Sequence, residues 1–341
     1  MMIENNRAAP LEPQRRIRGW FSTPFARAGL ALLLVLALGA VFNADGAFLK
    51  WDTHRDMLRH VSVFGILACG LTLVIITGGI DLAVGSLLGM TAVLFSILSI
   101  HWGWSPWASV PVSLTAGFVA GALSGGLIAR FRIQPFIATL SMMVLARGLA
   151  KWISGGQKVS SAVFQSSGSY EYRPSPAIFD VLNSKILGDN IAVVTLIFLA
   201  SVLACWTLLS QMRWGRYLYA VGGNEEAARL SGIPTGLTKL LAYGVSGFFG
   251  AVAGICQAAQ ELQGDPEAGA TYELSAIAIV VIGGTSLAGG RGGVGLTLIG
   301  AMTIGYLEKI LSINAVGEAT RLMLTGLIIV AAVLFQKGRR M

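Results

Sequence analysis

The sequence is poor in the side chains that catalysis and metal binding require. Only 12% of its 341 residues are charged, roughly half the share of about 25% in a typical soluble domain. The three histidines all lie near the outer ends of apolar stretches, in an arrangement that forms neither a metal site nor a catalytic triad. The three cysteines, Cys69, Cys205 and Cys256, lie within apolar stretches, which favours buried apolar side chains over a disulfide framework. We therefore expect no catalytic residue and no metal site.

The sequence also lacks a phosphate-binding loop of the Gly-x4-Gly-Lys-Ser/Thr type, because no lysine follows a glycine. The chain is therefore not expected to hydrolyse ATP through such a loop, to be an enzyme, or to hold a cofactor of its own. Its net charge of +8 comes from bases spread over short connections and both tails, where membrane topology requires them. Nucleic acid is not an expected partner.

Long apolar runs are what the sequence has in abundance. Hydrophobic residues make up 54% of the chain, and the mean hydropathy is +0.69. About 20 apolar residues cross the roughly 30 Å hydrocarbon core of a bilayer. The sequence thus predicts an all-α polytopic membrane protein with about ten transmembrane helices. The predicted spans are 27–44, 61–79, 82–100, 107–129, 135–152, 190–210, 239–260, 273–288, 294–313 and 319–336.

The distribution of Lys and Arg predicts that both termini are cytoplasmic. A basic N-terminal tail, 1–26, and a short basic C-terminal tail, 337–341, then flank one membrane domain, 27–336. The longest cytoplasmic connection is 211–238. The longest outer connection is 153–189, which is rich in Ser, Gly and Pro and is a candidate docking surface.

Few ionisable residues fall within the predicted spans. Arg147, Lys151, Glu308, Lys309 and Arg321 are predicted near outer ends, where their side chains reach the interface. The acidic connection that follows the seventh span, ELQGDPEAGATY, is predicted to be an outer loop. A carrier driven by a proton or sodium gradient would more often have carboxylates at mid-depth. Their scarcity argues against such a carrier, which is the alternative function together with a non-transporting scaffold.

Asp81, in the stretch TGGIDLAVGS, is the one charged residue between 61 and 100. The flanking spans put it at an inner turn and not at the bilayer centre. We predict that it caps the third span by accepting an N–H bond from Ala83 or Val84, in preference to binding solute. The glycines of this signature turn are Gly78, Gly79 and Gly85.

A second glycine-rich stretch, IGGTSLAGGRGGVG, is similar to the first, TGGIDLAVGSLLG. Both are predicted at inner turns, which suggests an internal repeat with a broken helix in each half. The glycines of the second turn are Gly283, Gly284, Gly289 and Gly290.

The cytoplasmic connection contains the stretch AVGGNEEAARLSGI. Asn224 is a good N-cap for a short helix, the two glutamates after it suit the helix dipole, and Pro234 prevents continuation. Small alanines leave room for another protein to pack closely, although an ordinary connecting helix is the alternative. The predicted contact residues are Gly222, Gly223, Asn224, Glu225, Glu226, Ala227, Ala228, Arg229 and Gly232.

Three stretches resemble the ribose-type branch of the bacterial ATP-binding-cassette (ABC) importer permeases. They are GLTLVIITGGIDLAVGS at 70–86, IQPFIATLSMMVLARGLA at 133–150 with the AVGGNEEAARLSGI loop after it, and AIAIVVIGGTSLAGGRGGVGLTLIGA at 276–301. The likeness extends from about residue 55 onward in the expected order.

The resemblance implies a permease subunit that translocates a monosaccharide or related small polar solute by alternating access in the bacterial inner membrane. A second permease subunit, identical or similar, would complete the pore, and a periplasmic sugar-binding protein would deliver the solute. Cytoplasmic ATPase subunits would bind ATP and Mg and engage the loop around Glu225–Gly232. Membrane lipid would surround the pair.

Side chains that suit a neutral sugar occur in the fifth predicted span. These candidate pore-lining residues are Gln134, Phe136, Thr139 and Ser141. The sequence leaves open which solute is carried, whether the pore is a homodimer, and whether the membrane part has a defined substrate site.

Overall fold

The structure, a computed structural model, describes residues 23–164, 169–317, 319–324, 326–327 and 330. Within these ranges, eight helices are long and apolar enough to cross a membrane, which confirms the predicted all-α polytopic class. They are α1 Pro24–Val41, α2 Trp51–Ile76, α3 Val84–Ser96 with a π-helical extension Ile97–His101, α4 Pro106–Phe131, α5 Pro135–Ser154, α7 Val193–Gln211, α10 Thr235–Glu261 and α12 Val294–Ile313.

Shorter elements connect these helices. The short helices are α6 Ala177–Asn183, α8 Arg213–Gly223, α9 Glu225–Leu230 and α11 Tyr272–Gly283, with a 3-10 turn at Ala47–Leu49. Two small antiparallel hairpins pair β1 Ala162–Phe164 with β2 Tyr170–Tyr172 and β3 Lys185–Ile186 with β4 Ile191–Ala192. The long connection predicted at 153–189 therefore contains local structure of its own.

Two of the predicted spans differ clearly from the helices. The second, predicted to begin at 61, begins at Trp51, because the polar first turns of α2 lower the hydropathy without ending the helix. The eighth, predicted at 273–288, is wrong as a full span. Helix α11 has 12 residues and a length of about 18 Å, too short for a hydrocarbon core of about 30 Å. The tenth, 319–336, lies partly outside the described residues.

The chain completes the missing half of this span without a helix. The connection 262–271 runs beside α3 towards the middle of the bundle: Gly264 lies against Ala92 and Ser96, and Gly269 lies against Gly85. These positions on α3 are seven to eleven residues apart, which corresponds to a descent of about 10–16 Å. The acidic connection predicted as an outer loop is therefore folded into the protein, with Pro266 buried.

Helix α10 is the centre of the bundle. It packs against α4, α3 and α2, and it separates α2 from α3 although only a short turn joins those two helices. Glycines let α4 approach closely: a Cβ at Gly121 would lie 2.2 Å from the carbonyl oxygen of Tyr243, and one at Gly117 would lie 2.5 Å from that of Gly247. Such small-residue contacts drive helix association in membranes.

The two ends of α2 contact different connections. At its N-terminal end, the Arg55 guanidinium donates to the carbonyl of Asp189 at 2.9 Å, next to the β3–β4 hairpin. At its C-terminal end, Ile76 contacts the last turn of α8. The long connection 153–189 and the loop 211–238 thus lie at opposite ends of the bundle.

Candidate functional site at the glycine junction

The predicted loop helix forms as its sequence dictates. Asn224 has an extended backbone, and its side-chain oxygen accepts the N–H of Ala227 at 3.0 Å, so the predicted N-cap is confirmed. The six-residue α9 ends before Gly232, whose φ of +81° favours glycine. The result is a short helix with fixed ends, held between α8 and α10.

The surface of α9 combines charge with one large apolar side chain. Glu226 pairs with Arg229 at 2.6 Å, and Glu225 pairs with Lys239 of α10 at 2.6 Å. The Arg229 guanidinium lowers the pKa of the Glu226 carboxyl. Leu230, at the end of the helix, is 79% exposed. A leucine exposed on a fixed, charged helix is a suitable contact for another protein.

The end of α8, which leads into α9, lies where the end of α2 and the two glycine-rich turns meet, and we call this point the glycine junction. The N–H of Gly290 donates to the carbonyl of Ile76 at 2.8 Å. A Cβ on Gly222 would lie 1.8 Å from the same carbonyl oxygen, and one on Gly289 would lie 2.8 Å from the backbone nitrogen of Gly78. Three segments distant in sequence therefore meet backbone to backbone, with no space for a side chain.

The other predicted turn glycines lie outside the glycine junction. Gly79 packs against α10, Gly85 against the connection 262–271, and Gly283 against α12. Gly284 ends α11 with a φ of +107°. Each turn therefore uses some glycines for the junction and others for packing against its own neighbours.

The predicted loop residues divide between inward and outward positions. Ala228 is buried, whereas the remaining residues of 223–229 are exposed. A Cβ at Gly223 or Gly232 would meet nothing within 4 Å. The assignment of these residues to an ATPase contact stays a prediction.

Asp81 is almost completely buried, with 1% exposure, and it uses both carboxylate oxygens. One accepts the N–H of Ala83 at 3.0 Å, which confirms the predicted bond. The predicted N-cap role is wrong, because α3 begins at Val84 and its N-cap residue is Ala83. The other accepts the hydroxyl of Ser246 on α10 at 2.8 Å, a partner that the sequence did not indicate. The hydroxyl of Tyr243 bonds the carbonyl of Ile80 at 3.4 Å. The turn is therefore fastened to the central helix.

Substituting Asp81→Asn is expected to leave thermal stability and solute uptake close to wild type. The asparagine oxygen still accepts from Ala83, and its amide donates to Ser246 in place of the carboxylate. Asp81→Leu leaves both partners unpaired, and each buried unpaired group costs about 1–3 kcal/mol. Thermal denaturation in detergent together with uptake tests the pair. A well-folded Asp81→Asn protein that transports nothing would show that the charge itself acts on solute.

The candidate pore-lining residues do not share one environment. Phe136 and Ser141 are exposed on α5, and Gln134, its N-cap residue, is exposed as well. Thr139 is fully buried, and its hydroxyl donates to the carbonyl of Pro135 at 2.9 Å. That these side chains line a pore stays a prediction.

The charges within predicted spans are engaged inside the protein, not simply extended to the interface. Arg147 lies well inside α5 and donates to the carbonyl of Ala268 at 2.8 Å and to that of Pro266. In the sequence, the sign that Arg147 has a partner within the protein is the occurrence of an arginine in an otherwise apolar run. Lys151 pairs with Glu267 at 2.6 Å near the surface, and Glu308, Lys309 and Arg321 line a cavity of about 380 Å³ at the N-terminal end of α2. Its charged and imidazole side chains are Asp56, Arg59, His60, Glu308, Lys309 and Arg321.

Comparison with known proteins agrees with this architecture. The family described as "Branched-chain amino acid transport system / permease component" matches residues 55–333. This chain belongs to that permease family. The ribose import permease protein RbsC of Escherichia coli K12 is 38% identical over 314 residues, covering 91% of this chain and 93% of RbsC. No solved structure matches the chain.

Other relatives agree with this assignment. RbsC of Haemophilus influenzae is 36% identical over 311 residues, covering 90% of this chain and 91% of the relative. The xylose transport system permease protein XylH of Escherichia coli K12 is 32% identical over 351 residues, covering 89% of each. The resemblance to ribose-type permeases is confirmed. The chain is the permease subunit of an ABC importer and a multi-pass inner membrane protein.

Proposed function

We propose that this permease translocates a monosaccharide or a closely related polyol, and that movement of α9 drives it through the glycine junction. The direct backbone contact of Gly222, just before α9, with the end of α2 and the second glycine-rich turn carries this proposal. The names of the relatives, which are ribose and xylose permeases, support the solute class.

In this proposal, separate cytoplasmic ATPase subunits bind ATP and Mg and close on α9, while this chain holds no cofactor. Displacement of α9 pulls on the residues that touch Gly222, namely the end of α2 and the turn before α12. Packed helices move as rigid bodies, so these two helices would shift together and switch the access of the pore.

The proposal extends to partners and orientation. A second permease subunit, identical or similar, completes the pore, and a periplasmic sugar-binding protein docks on the outer connection 153–189. The tails 1–26 and 337–341 and the loop 211–238 are cytoplasmic, and the domain 27–336 lies in lipid. The separation of the two long connections to opposite ends of the bundle and the bases of the cytoplasmic side support this orientation.

The substitution Leu230→Glu is expected to break the ATPase contact. It puts a charge where an exposed apolar side chain would be buried by the partner. Binding of the ATPase subunit in co-purification should fall at least about tenfold, which corresponds to about 1.4 kcal/mol. Uptake of D-ribose or D-xylose by cells should fall with it.

A matched control is available at the other end of the bundle. Leu187 is 70% exposed in the β3–β4 hairpin, so Leu187→Glu makes the same chemical change far from α9. This variant should retain the ATPase subunit. If Leu230→Glu also retains the ATPase and transports normally, the coupling assignment is wrong. Uptake that survives loss of the ATPase subunit and stops when the ion gradient collapses would favour a gradient-driven carrier instead.

A further inference from the structure

A cavity of about 430 Å³ opens beside the start of α11, between α5 and the first turn of α3. Its volume falls within the usual range of small-molecule sites, roughly 300–1,000 Å³. Its lining includes Arg147, Gly148, Lys151, Thr271 and Glu273.

The cavity lies at the depth where the membrane span is broken. The ring of Tyr272, the first residue of α11, is 4.4 Å from that of Phe64 in the middle of α2. Just before it, Ala270 and Thr271 are exposed. Non-helical backbone at membrane depth is tolerated only where it is buried in protein or lines a water-filled cavity. Lipid therefore does not cover these two residues, and water or a second protein must lie against them.

The backbone at this point is also strained. Thr271 is β-branched, yet it has a φ of +66°. A β-branched residue in the left-handed region is an outlier that persists only where the surroundings impose it, and such residues concentrate at functional sites. The surroundings here include Arg147, which binds two carbonyls of the preceding connection.

The charges around the cavity favour a neutral ligand. The Nη1 of Arg147 donates to two backbone carbonyls, and Lys151 pairs with Glu267 at 2.6 Å. Both cations already have partners, which weakens their attraction for an anion. Their positive charge also opposes the binding of a cation. The Glu273 carboxylate remains as an acceptor for hydroxyl groups, and so does the oxygen of the Thr271 hydroxyl, whose proton is donated to the carbonyl of Ala270 at 2.6 Å. A polyhydroxyl compound without charge fits this combination.

We propose that this cavity forms part of the solute pathway and that Glu273 accepts a hydrogen bond from a hydroxyl of the passing sugar. The inference rests on the proposed function, and it adds the place in the membrane at which the solute is contacted. It also assigns α5 and the connection 262–271 to the wall of that pathway.

Gly148 provides the test, because it lines the cavity and a Cβ there would meet nothing within 4 Å. The Gly148→Trp variant is expected to fold and to retain the ATPase subunit. Its uptake of D-ribose or D-xylose should fall at least about tenfold. Gly29→Trp is the matched control, since Gly29 also has open space around it but lies on the peripheral α1. The control should transport normally. Normal uptake by Gly148→Trp would overturn the proposal.

Thiol labelling separates water from lipid at the same position. The three native cysteines are buried, so a cysteine introduced by Gly148→Cys should dominate the reaction with a charged methanethiosulfonate reagent. We expect it to react at least about tenfold faster than the thiol introduced by Gly29→Cys, because thiolate formation and the reagent both require water. Equal, slow reaction at both positions would place the cavity in lipid and overturn the proposal.

The role of Glu273 is tested by two substitutions. Glu273→Gln keeps an acceptor oxygen and should keep most of the uptake, whereas Glu273→Leu should lose most of it while ATPase binding is unchanged. Equal uptake by both variants would show that Glu273 does not contact the solute. If wild type itself imports neither D-ribose nor D-xylose, the proposed function fails first, and that result is distinct from normal uptake by Gly148→Trp.

Discussion

Replacing Gly222 with alanine is expected to abolish uptake, whereas the same change at Gly223 is expected to leave uptake near the wild-type rate. The new Cβ at Gly222 would lie 1.8 Å from the carbonyl oxygen of Ile76 and 2.6 Å from the backbone nitrogen of Gly290. It would therefore separate the two atoms that join the glycine-rich turns. At Gly223 the same methyl group meets nothing within 4 Å.

The magnitude follows from the kind of contact. Overpacking typically costs about 1–3 kcal/mol, and the neighbours here are backbone atoms that cannot rotate away. Uptake per molecule of membrane-inserted protein should fall at least about tenfold. Sugar uptake, normalised to the amount of protein in the membrane and compared with Gly223→Ala, measures this. Equal transport by the two variants would contradict a transmitting role for the glycine junction.

The substitution Gly121→Leu is expected to destabilise the whole bundle. Gly121 lies where α4 crosses the central helix α10, and its Cβ would be 2.2 Å from the carbonyl oxygen of Tyr243. The helices would have to separate, and close packing is a main source of helix association in a bilayer. We expect a loss of about 3 kcal/mol, seen as a lower thermal denaturation temperature in detergent and less protein in the membrane.

Gly126→Leu is the control for this effect. Gly126 lies on the same helix, and the nearest atom to its Cβ is the end of the Leu240 side chain at 3.9 Å. The added hydrophobic volume is the same, but no backbone opposes it. A Gly126→Leu protein as unstable as Gly121→Leu would show that the helix approach at Gly121 is not the cause.

Local patterns predicted the local structure well. The cap at Asn224 and the bond from Ala83 to Asp81 both join residues close in sequence, so side-chain type and spacing were sufficient. Hydropathy found the long helices, which are also local features. A segment in lipid must satisfy its backbone hydrogen bonds within itself, so a long apolar run is itself a helix signal. Hydropathy failed for α11, because it depends on composition alone. The residues after Gly283 are apolar enough to extend the predicted span to 288, although they are not helical.

The contacts of the site itself were not predictable in this way. Ser246 reaches Asp81 from a helix far along the chain, and nothing in its own neighbourhood marks it as a partner. Arg147 was assigned to the interface because a long basic side chain near a span end usually reaches water. Its partners are backbone carbonyls of another segment, and a carbonyl has no signature in the sequence.

The sequence by itself determined that this protein is a polytopic membrane permease, because apolar length, the positions of basic residues and the family stretches are all properties of the chain. Only the tertiary structure decided which glycines matter. Gly222 and Gly223 are identical neighbours in sequence, yet one has a carbonyl where its side chain would be and the other has open space. Glycine carries no side chain that could reveal its neighbours, so close backbone contact between distant segments becomes visible only when the helices are packed.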